Sequence, residues 1–299
     1  MELISGHREF GAEIPNPLGL DGIEYVEYAT AAPQALGQVL ETMGFKPVAR
    51  HRSREVLLYR QGSLNVVING HPGVVRAARR EEAPRISALA LRVRDARAAY
   101  EHALDNGGWE VPAHAEVMEL NIPGIHGPGG AHLYFVDRYR EFSIYDVDFV
   151  PIPGVDRRPP ATAGLHFFGV VQDIGRDRTD DWVEFYRRLF GFERLPDDER
   201  FGILPAGTLL RSPCGSFYVQ LVEPHPTTVL YDELEQFNRI GLGVPDVLAA
   251  VAALRHLGAD FVESPKLHIE PRGALTRTYL HSVAFELVHD ERERAGGAA

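Results

Sequence analysis

The chain has 299 residues, of which 44% are hydrophobic and 24% are charged, a composition typical of a soluble globular protein. Its 31 basic and 42 acidic residues give a formal net charge of −11, which disfavours nucleic acid or an anionic membrane as the main partner. Cys214 is the single cysteine, so an internal disulfide and a thiolate metal cluster are excluded. No apolar signal core or membrane-length apolar run occurs, and the sequence therefore predicts a cytoplasmic protein.

One unit recurs four times along the chain. Each copy has an apolar strand, an amphipathic helix, a glycine and then further strands. The opening strands read GIEYVEYAT, ISALALRV, GLHFFGVV and RIGLGV. The glycines at 44, 107, 191 and 258 are placed to end the four helices, where a positive φ is needed. The pattern predicts four βαβββ modules.

A proline-rich stretch divides these modules into pairs. Residues 151–163, PIPGVDRRPPATA, contain four prolines and predict a stiff linker. It would separate an N-terminal two-module domain, 1–150, from a C-terminal domain, 164–290, with a polar tail at 291–299. Sheets built from paired modules can curl around a central space. The predicted fold class is therefore α+β, with two curled, barrel-like mixed sheets.

Several stretches resemble a known family. NPLGLDGIEYVEYAT, MELNIPGIHGPGGAHLYFVDRY and SIYDVDFV, within residues 16–150, are similar to bacterial 4-hydroxyphenylpyruvate dioxygenases of the vicinal-oxygen-chelate superfamily. The second half resembles them more weakly, through GLHFFGVV, WVEFYRRLFGFE, EQFNRIGLGVPDV and AFELV. The resemblance implies a mainly structural N-terminal domain. It also implies a C-terminal site where two His and one Glu hold non-haem Fe(II).

Two of the three implied ligands are present. His166 matches the first ligand position and Glu286 the third, but Arg239 stands at the second. A guanidinium stays protonated and offers no lone pair, so it cannot replace imidazole on iron. Fe(II) or another divalent metal would therefore have an incomplete set of ligands.

Three roles for Arg239 stay open. It could pair with Glu286 across the former iron position, which would leave a metal-free cavity. It could instead hold a substrate carboxylate bidentately. In the third alternative the side chain extends into solvent from the start of its strand.

The sequence predicts an enzyme similar to 4-hydroxyphenylpyruvate dioxygenase that acts on a small 2-oxo or carboxylic acid, with aromatic acids among the candidates. Glu286 and Arg239 are the candidate catalytic residues, and Arg239, Gln220 and Phe285 are the candidate substrate contacts. The alternatives are a metal-independent lyase, isomerase or dehydratase, and a non-catalytic protein that binds small molecules. A small organic acid is the expected partner, and a homo-oligomer stays open.

Overall fold

A computed structural model describes residues 15–77, 83–112, 120–140, 142–204, 207–225 and 235–291. It contains two mixed β-sheets, of eight and seven strands. The predicted α+β class is confirmed, and the strand–helix–strands unit recurs along the chain, although only two strands follow the last helix in the described residues. Among the described residues, no helix is long and apolar enough to cross a membrane. Apart from Glu291, the predicted polar tail lies outside the described residues.

The first half of the chain forms the N-terminal sheet, whose strand order is β6-β7-β5-β1-β4-β3-β2-β8. Its strands are β1 Ile23–Ala29, β2 Lys46–His51, β3 Val56–Gln61, β4 Leu64–Asn69, β5 Arg85–Arg92, β6 Gly124–His126, β7 His132–Val136 and β8 Phe149–Pro151. The helices of this half are α1 Pro33–Thr42, α2 Pro72–Ala77, α3 Ala96–Asp105 and α4 Ile144–Asp148.

The second half forms the C-terminal sheet, whose strand order is β10-β11-β12-β9-β13-β15-β14. Its strands are β9 His166–Asp173, β10 Glu193–Arg194, β11 Thr208–Arg211, β12 Tyr218–Val222, β13 Gln236–Val244, β14 Gly273–Leu275 and β15 Phe285–His289. The helices of this half are α5 Thr179–Phe190 and α6 Val247–His256.

The two sheets share one topology. β1 runs parallel to β4 and antiparallel to β5, which runs parallel to β7. In the same way, β9 runs parallel to β12 and antiparallel to β13, which runs parallel to β15. The described strands of each sheet end in open edges, so neither sheet closes into a barrel. Each position on one central strand therefore has a counterpart in the other sheet.

Helix ends follow the sequence signals. The side chain of Asp246 accepts a hydrogen bond from the Ala249 amide and so caps the start of α6. Helix α5 ends at Gly191, where φ is 75° and the amide donates to the Arg187 carbonyl at 3.0 Å. The other three glycines predicted at helix ends also have positive φ.

The outer faces of both sheets pack against the helices in one continuous core. This core includes Leu89 and Leu91 of β5, Phe190 of α5 and Leu242 of β13. Since removing this apolar surface from water stabilises both halves together, the sheets are joined by packing as well as by the chain. The proline-rich segment is docked too, because the Gly62 amide donates to the Pro159 carbonyl at 2.7 Å.

The inner faces, which point away from the core shared with the helices, differ between the sheets. On the N-terminal sheet a second apolar cluster fills this face and includes Tyr25, Leu58, Val67 and Tyr145. On the C-terminal sheet the inner face instead borders a cavity.

Candidate functional site

A cavity lies on the inner face of the C-terminal sheet. The space between its walls is about 350 Å³ when the open solvent at its mouth is included, and about 30 Å³ of it is open to the centre of a water molecule. Its walls are mainly apolar, with the rings of Phe168, Phe201 and Tyr218 on one side. The polar groups of its lining side chains are the Tyr218 hydroxyl, the Gln220 amide and the Glu286 carboxylate. A few polar groups in an apolar concavity are typical of a small-molecule site.

One glycine on β13 leaves room at the floor of this cavity. Gly241 of β13 lies between Gly169 of β9 and Glu286 of β15 in the strand register. A Cβ added at Gly241 would find its nearest heavy atom at 3.5 Å, an ordinary contact distance. A side chain at this position would therefore fit and would take up part of the cavity.

Gly243 leaves room for the imidazole ring of His166 rather than for the cavity. A Cβ at this position would lie 2.3 Å from Nε2 of His166, so the imidazole covers the glycine. The two glycines of the RIGLGV strand thus have separate roles: one keeps the cavity open, and the other accommodates a histidine.

Arg239 turns inward and pairs with Glu286. Its Nε donates to Oε2 of Glu286 at 3.3 Å, and the two side chains are 16% and 5% exposed. The salt bridge considered from the sequence is therefore confirmed, and the solvent-directed alternative is wrong. A buried guanidinium requires a nearby anion, and Glu286 supplies it.

Burial perturbs the carboxyl groups around Arg239. It raises the pKa of Glu286 above its ordinary value, and the charge and hydrogen bond of Arg239 offset only part of that rise. Burial also raises the pKa of Asp173, which the Asn238 hydrogen bond and the Arg239 charge lower in part. The site thus combines a fixed positive charge with a carboxyl group whose proton is held more tightly than usual.

His166 is engaged elsewhere. Its Nε2 lies 3.1 Å from a carboxylate oxygen of Asp290, and its Nδ1 lies 3.1 Å from the Gly164 carbonyl oxygen. Both side chains of the His166–Asp290 pair are 10% exposed. Since protein oxygens meet both ring nitrogens, and His166 is not among the residues lining the cavity, the structure does not bring it together with Glu286.

The predicted substrate contacts divide into one that faces the cavity and one that does not. Gln220 of β12 lines the cavity, as expected. Phe285 is fully buried in the core on the outer face, because neighbouring residues of a strand point to opposite faces and Glu286 points inward. Phe285 therefore cannot contact a ligand in this cavity.

Phe201 is a lining residue for which the sequence carries no signal. Phe201 follows a run of charged residues, DDER, in a connection between strands. Its position gives no periodic signal, since only the folded path of the segment brings the ring to Phe168 and Tyr218.

The described residues do not fit the iron site that the resemblance implies. No group of three or more His, Cys, Asp or Glu side chains within them is arranged to hold a metal ion. Arg239 donates to the carboxylate that would be the third ligand, and His166 is committed to Asp290. A guanidinium at the second position cannot complete the set.

Comparison with known proteins gives the family. A family model described as hydroxyphenylpyruvate dioxygenase, N-terminal, matches residues 14–150. The 4-hydroxyphenylpyruvate dioxygenase of Pseudomonas aeruginosa is 35% identical over 269 residues, which cover 85% of this chain and 75% of that protein. The chain belongs to the 4-hydroxyphenylpyruvate dioxygenase family. The family resemblance drawn from the sequence is thereby confirmed.

Two further relatives are matched over only about half of their length. The 4-hydroxyphenylpyruvate dioxygenase of Pseudomonas sp. (strain P.J. 874) is 43% identical over 183 residues, which are 60% of this chain and 51% of that protein. A 3-dehydroshikimate dehydratase of Pseudomonas aeruginosa is 32% identical over 305 residues. The match covers 95% of this chain but 47% of the dehydratase, so the chain spans about half the length of these two relatives.

A solved structure supports the fold. A mutant of 4-hydroxymandelate synthase from Streptomyces coelicolor superposes with a TM-score of 0.70 at 17% identity. The match covers 91% of this chain and 93% of that one. The vicinal-oxygen-chelate architecture is therefore shared over almost the whole chain.

Proposed function

We propose that this member of the family is an enzyme that acts on a small organic acid at the inner face of the C-terminal sheet. Aromatic 2-oxo acids are the first class to test. The observation that carries the proposal is the buried Arg239–Glu286 pair beside an aromatic cavity. Arg239 binds the acid, and Glu286 transfers a proton.

The guanidinium suits an acid ligand. The hydrogen bond to Glu286 uses the Nε donor, and a guanidinium has five N–H donors in a planar fork that matches a carboxylate. Arg239 is not itself among the residues that line the cavity, so a ligand carboxylate, or the oxyanion that forms from a 2-oxo group, would reach its guanidinium beside Glu286, where the charge is shielded from water. Such an interaction is stronger in the cavity than at the surface.

The walls favour an aromatic or otherwise flat apolar group. The rings of Phe168 and Tyr218 lie 4.9 Å apart between centroids at an interplanar angle of 33°. Ring contacts of this kind contribute about 0.5–1.5 kcal/mol beyond burial. The apolar part of the ligand would therefore lie against these rings, with its acid group towards Arg239.

Glu286 has the properties of a proton-transfer group. Burial moves the pKa of this carboxyl towards neutral pH, and a general acid–base group works best when its pKa lies near the pH of the reaction. As a base it would remove a proton from the carbon beside the carbonyl. The electron pair of that C–H bond then moves to the carbonyl oxygen, where Arg239 stabilises the enolate charge. Return of the proton to another atom gives isomerisation, and loss of a β-hydroxyl group as water gives dehydration.

The test follows hydrogen exchange at C3 of phenylpyruvate in D2O by NMR, measured above the uncatalysed rate. We expect the native protein to accelerate this exchange. Glu286→Gln should lower the acceleration by about 100-fold or more, the usual range for a lost general base. Glu270→Gln is the matched control, because Glu270 pairs with exposed Arg272 outside the cavity.

Three outcomes separate the candidate functions. Equal exchange in the native protein and in Glu286→Gln would contradict the role of Glu286. Binding of the acid without exchange would indicate a non-catalytic binding protein. Stoichiometric iron with oxygen uptake on 4-hydroxyphenylpyruvate would replace the proposal with the reaction for which the relatives are named.

A further inference from the structure

The connection between β10 and β11 crosses the cavity on the inner face of the C-terminal sheet. We call residues 196–204 of this connection the covering segment. Its Phe201 ring lies 5.1 Å from the Phe168 ring and 4.7 Å from the Tyr218 ring, between centroids. The corresponding connection in the N-terminal sheet, residues 52–55 between β2 and β3, is a short turn. The crossing is therefore a feature of the C-terminal half.

The backbone of the covering segment also lies close to the Glu286 carboxylate. Gly202 has a φ of 61°, and a Cβ there would lie 2.4 Å from Oε1 of Glu286 and 3.4 Å from Val288. Its own Cα lies 2.8 Å from the place that a Cβ on Gly273 would take. Only a glycine fits here, since both the backbone conformation and the space exclude a side chain.

The segment is divided into a charged part and a buried part. Asp197, Asp198, Glu199 and Arg200 are exposed, whereas Gly202 and Ile203 are buried. Its first residues are held by the turn from the Glu199 amide to the Pro196 carbonyl. Phe201, which is partly exposed, stands where these two parts meet and closes one side of the cavity.

We propose that Phe201 is a specificity-determining residue, whose ring limits the size of the group that can enter beside Glu286. Gly202 is a positioning residue that fixes the carboxylate by backbone contact. The nature of the acid rests on the proposed function, but the size limit does not. A probe without an acid group therefore tests it independently.

The probe is indole, which is neutral and makes no demand on Arg239. Phe201→Ala removes the ring that closes the cavity, so indole at several times its dissociation constant should raise the melting temperature of this variant by about 2–4 °C. The native protein, in which the Phe201 ring takes part of the space, should show a clearly smaller shift. Phe142→Ala is the matched control, because Phe142 is 59% exposed, and it should behave like the native protein.

Equal indole shifts in Phe201→Ala and the native protein, or no shift in either, would overturn the size limit. If Phe201→Ala does not fold, Phe201→Leu keeps an apolar anchor and is tested by affinity for indole-3-pyruvate relative to phenylpyruvate. We expect that ratio to rise about ten-fold, and an unchanged ratio would overturn the proposal. Failure of the native protein to bind phenylpyruvate would count against the proposed function alone, since the indole result is independent of it.

Gly202→Ala tests the positioning role. The added methyl must displace the Glu286 carboxylate, so C3 exchange of phenylpyruvate should fall while its affinity changes little. Gly215→Ala is the control, since Gly215 also has a positive φ, 68°, but no atom within 4 Å of an added Cβ. Equal exchange rates in the two variants would contradict the role of Gly202.

Discussion

The two sheets have the same topology but opposite inner faces. Across β1, β5 and β7 of the N-terminal sheet, one register row reads Tyr25, Ala90 and Tyr134. Burial raises the pKa of both tyrosine hydroxyls, as expected for phenols enclosed by protein. This row belongs to a face that side chains have filled.

The corresponding row of the C-terminal sheet reads Gly169, Gly241 and Glu286. Two glycines and a carboxylate stand where the other sheet has two tyrosines and an alanine. The same backbone therefore makes a second core in one half and a cavity with a charged wall in the other. Because the strand topology is the same in the two halves, the difference between a filled face and a cavity arises from the side chains of this row.

The largest effect is expected from opening the filled face. Tyr25 is 7% exposed, and Tyr25→Ala should lower the free energy of unfolding by about 3–5 kcal/mol through lost burial and the space left behind. Urea denaturation measures it. Affinity for phenylpyruvate should not change. A loss below about 1 kcal/mol would show that the N-terminal inner face is not a core.

The next effect comes from breaking the ion pair of the open face. Arg239→Met keeps the apolar stem but leaves the Glu286 carboxylate buried without its partner. Removing one member of a buried pair typically costs about 3 kcal/mol or more. The variant should show this loss in urea denaturation at pH 8.

The loss should shrink as the pH falls. Burial already raises the pKa of Glu286, and loss of Arg239 raises it further. Because this pKa then lies above that of the unfolded chain, the folded variant loses stability as the pH rises from the unfolded pKa to the folded one. As the pH falls through this raised pKa, the carboxyl of the folded variant takes up a proton, and the difference from the native protein becomes smaller. Arg255→Met, in a half-exposed pair with Glu263, should show neither a large loss nor this pH dependence. A loss for Arg239→Met that is constant with pH would contradict the assignment.

The smallest effect on stability is expected when the glycine of β13 and the alanine at the corresponding position of β5 are each replaced by the other residue type. Gly241→Ala should leave stability unchanged or raise it by up to about 1 kcal/mol, because the site has room and the unfolded chain loses freedom. The same methyl should weaken phenylpyruvate binding about ten-fold by entering the cavity. Ala90→Gly, its counterpart, should cost about 0.5–1 kcal/mol and leave binding unchanged. Equal effects on binding would remove the distinction between the faces.

Much of the fold could be predicted from the sequence because its signals are local. The apolar strands, the helix-ending glycines and the repeat depend on neighbours along the chain, and the structure agrees with them. The inward direction of Arg239 could be proposed because Arg239 and Gly241, two residues apart on one strand, lie on the same face. Glu286 followed from the resemblance, which places it at the third ligand position of the same site.

The remaining features of the site depend on distant contacts. His166 was expected beside Glu286, but Asp290 and the space over Gly243 fix its ring elsewhere. Phe285 was expected in the cavity, although alternation along β15 places it in the core once Glu286 faces inward. Phe201 reaches the cavity through an irregular connection, for which residue periodicity gives no information.

The most direct test of an acid-binding site built on Arg239 is calorimetric titration of phenylpyruvate with metals removed by a chelator. The native protein should bind one equivalent per site, and Arg239→Gln should bind at least about ten-fold more weakly, since a charge-assisted hydrogen bond is worth about 1.5–3 kcal/mol. Arg255→Gln should match the native protein. Binding that requires added Fe(II), or that is equal in Arg239→Gln and the native protein, would contradict the account.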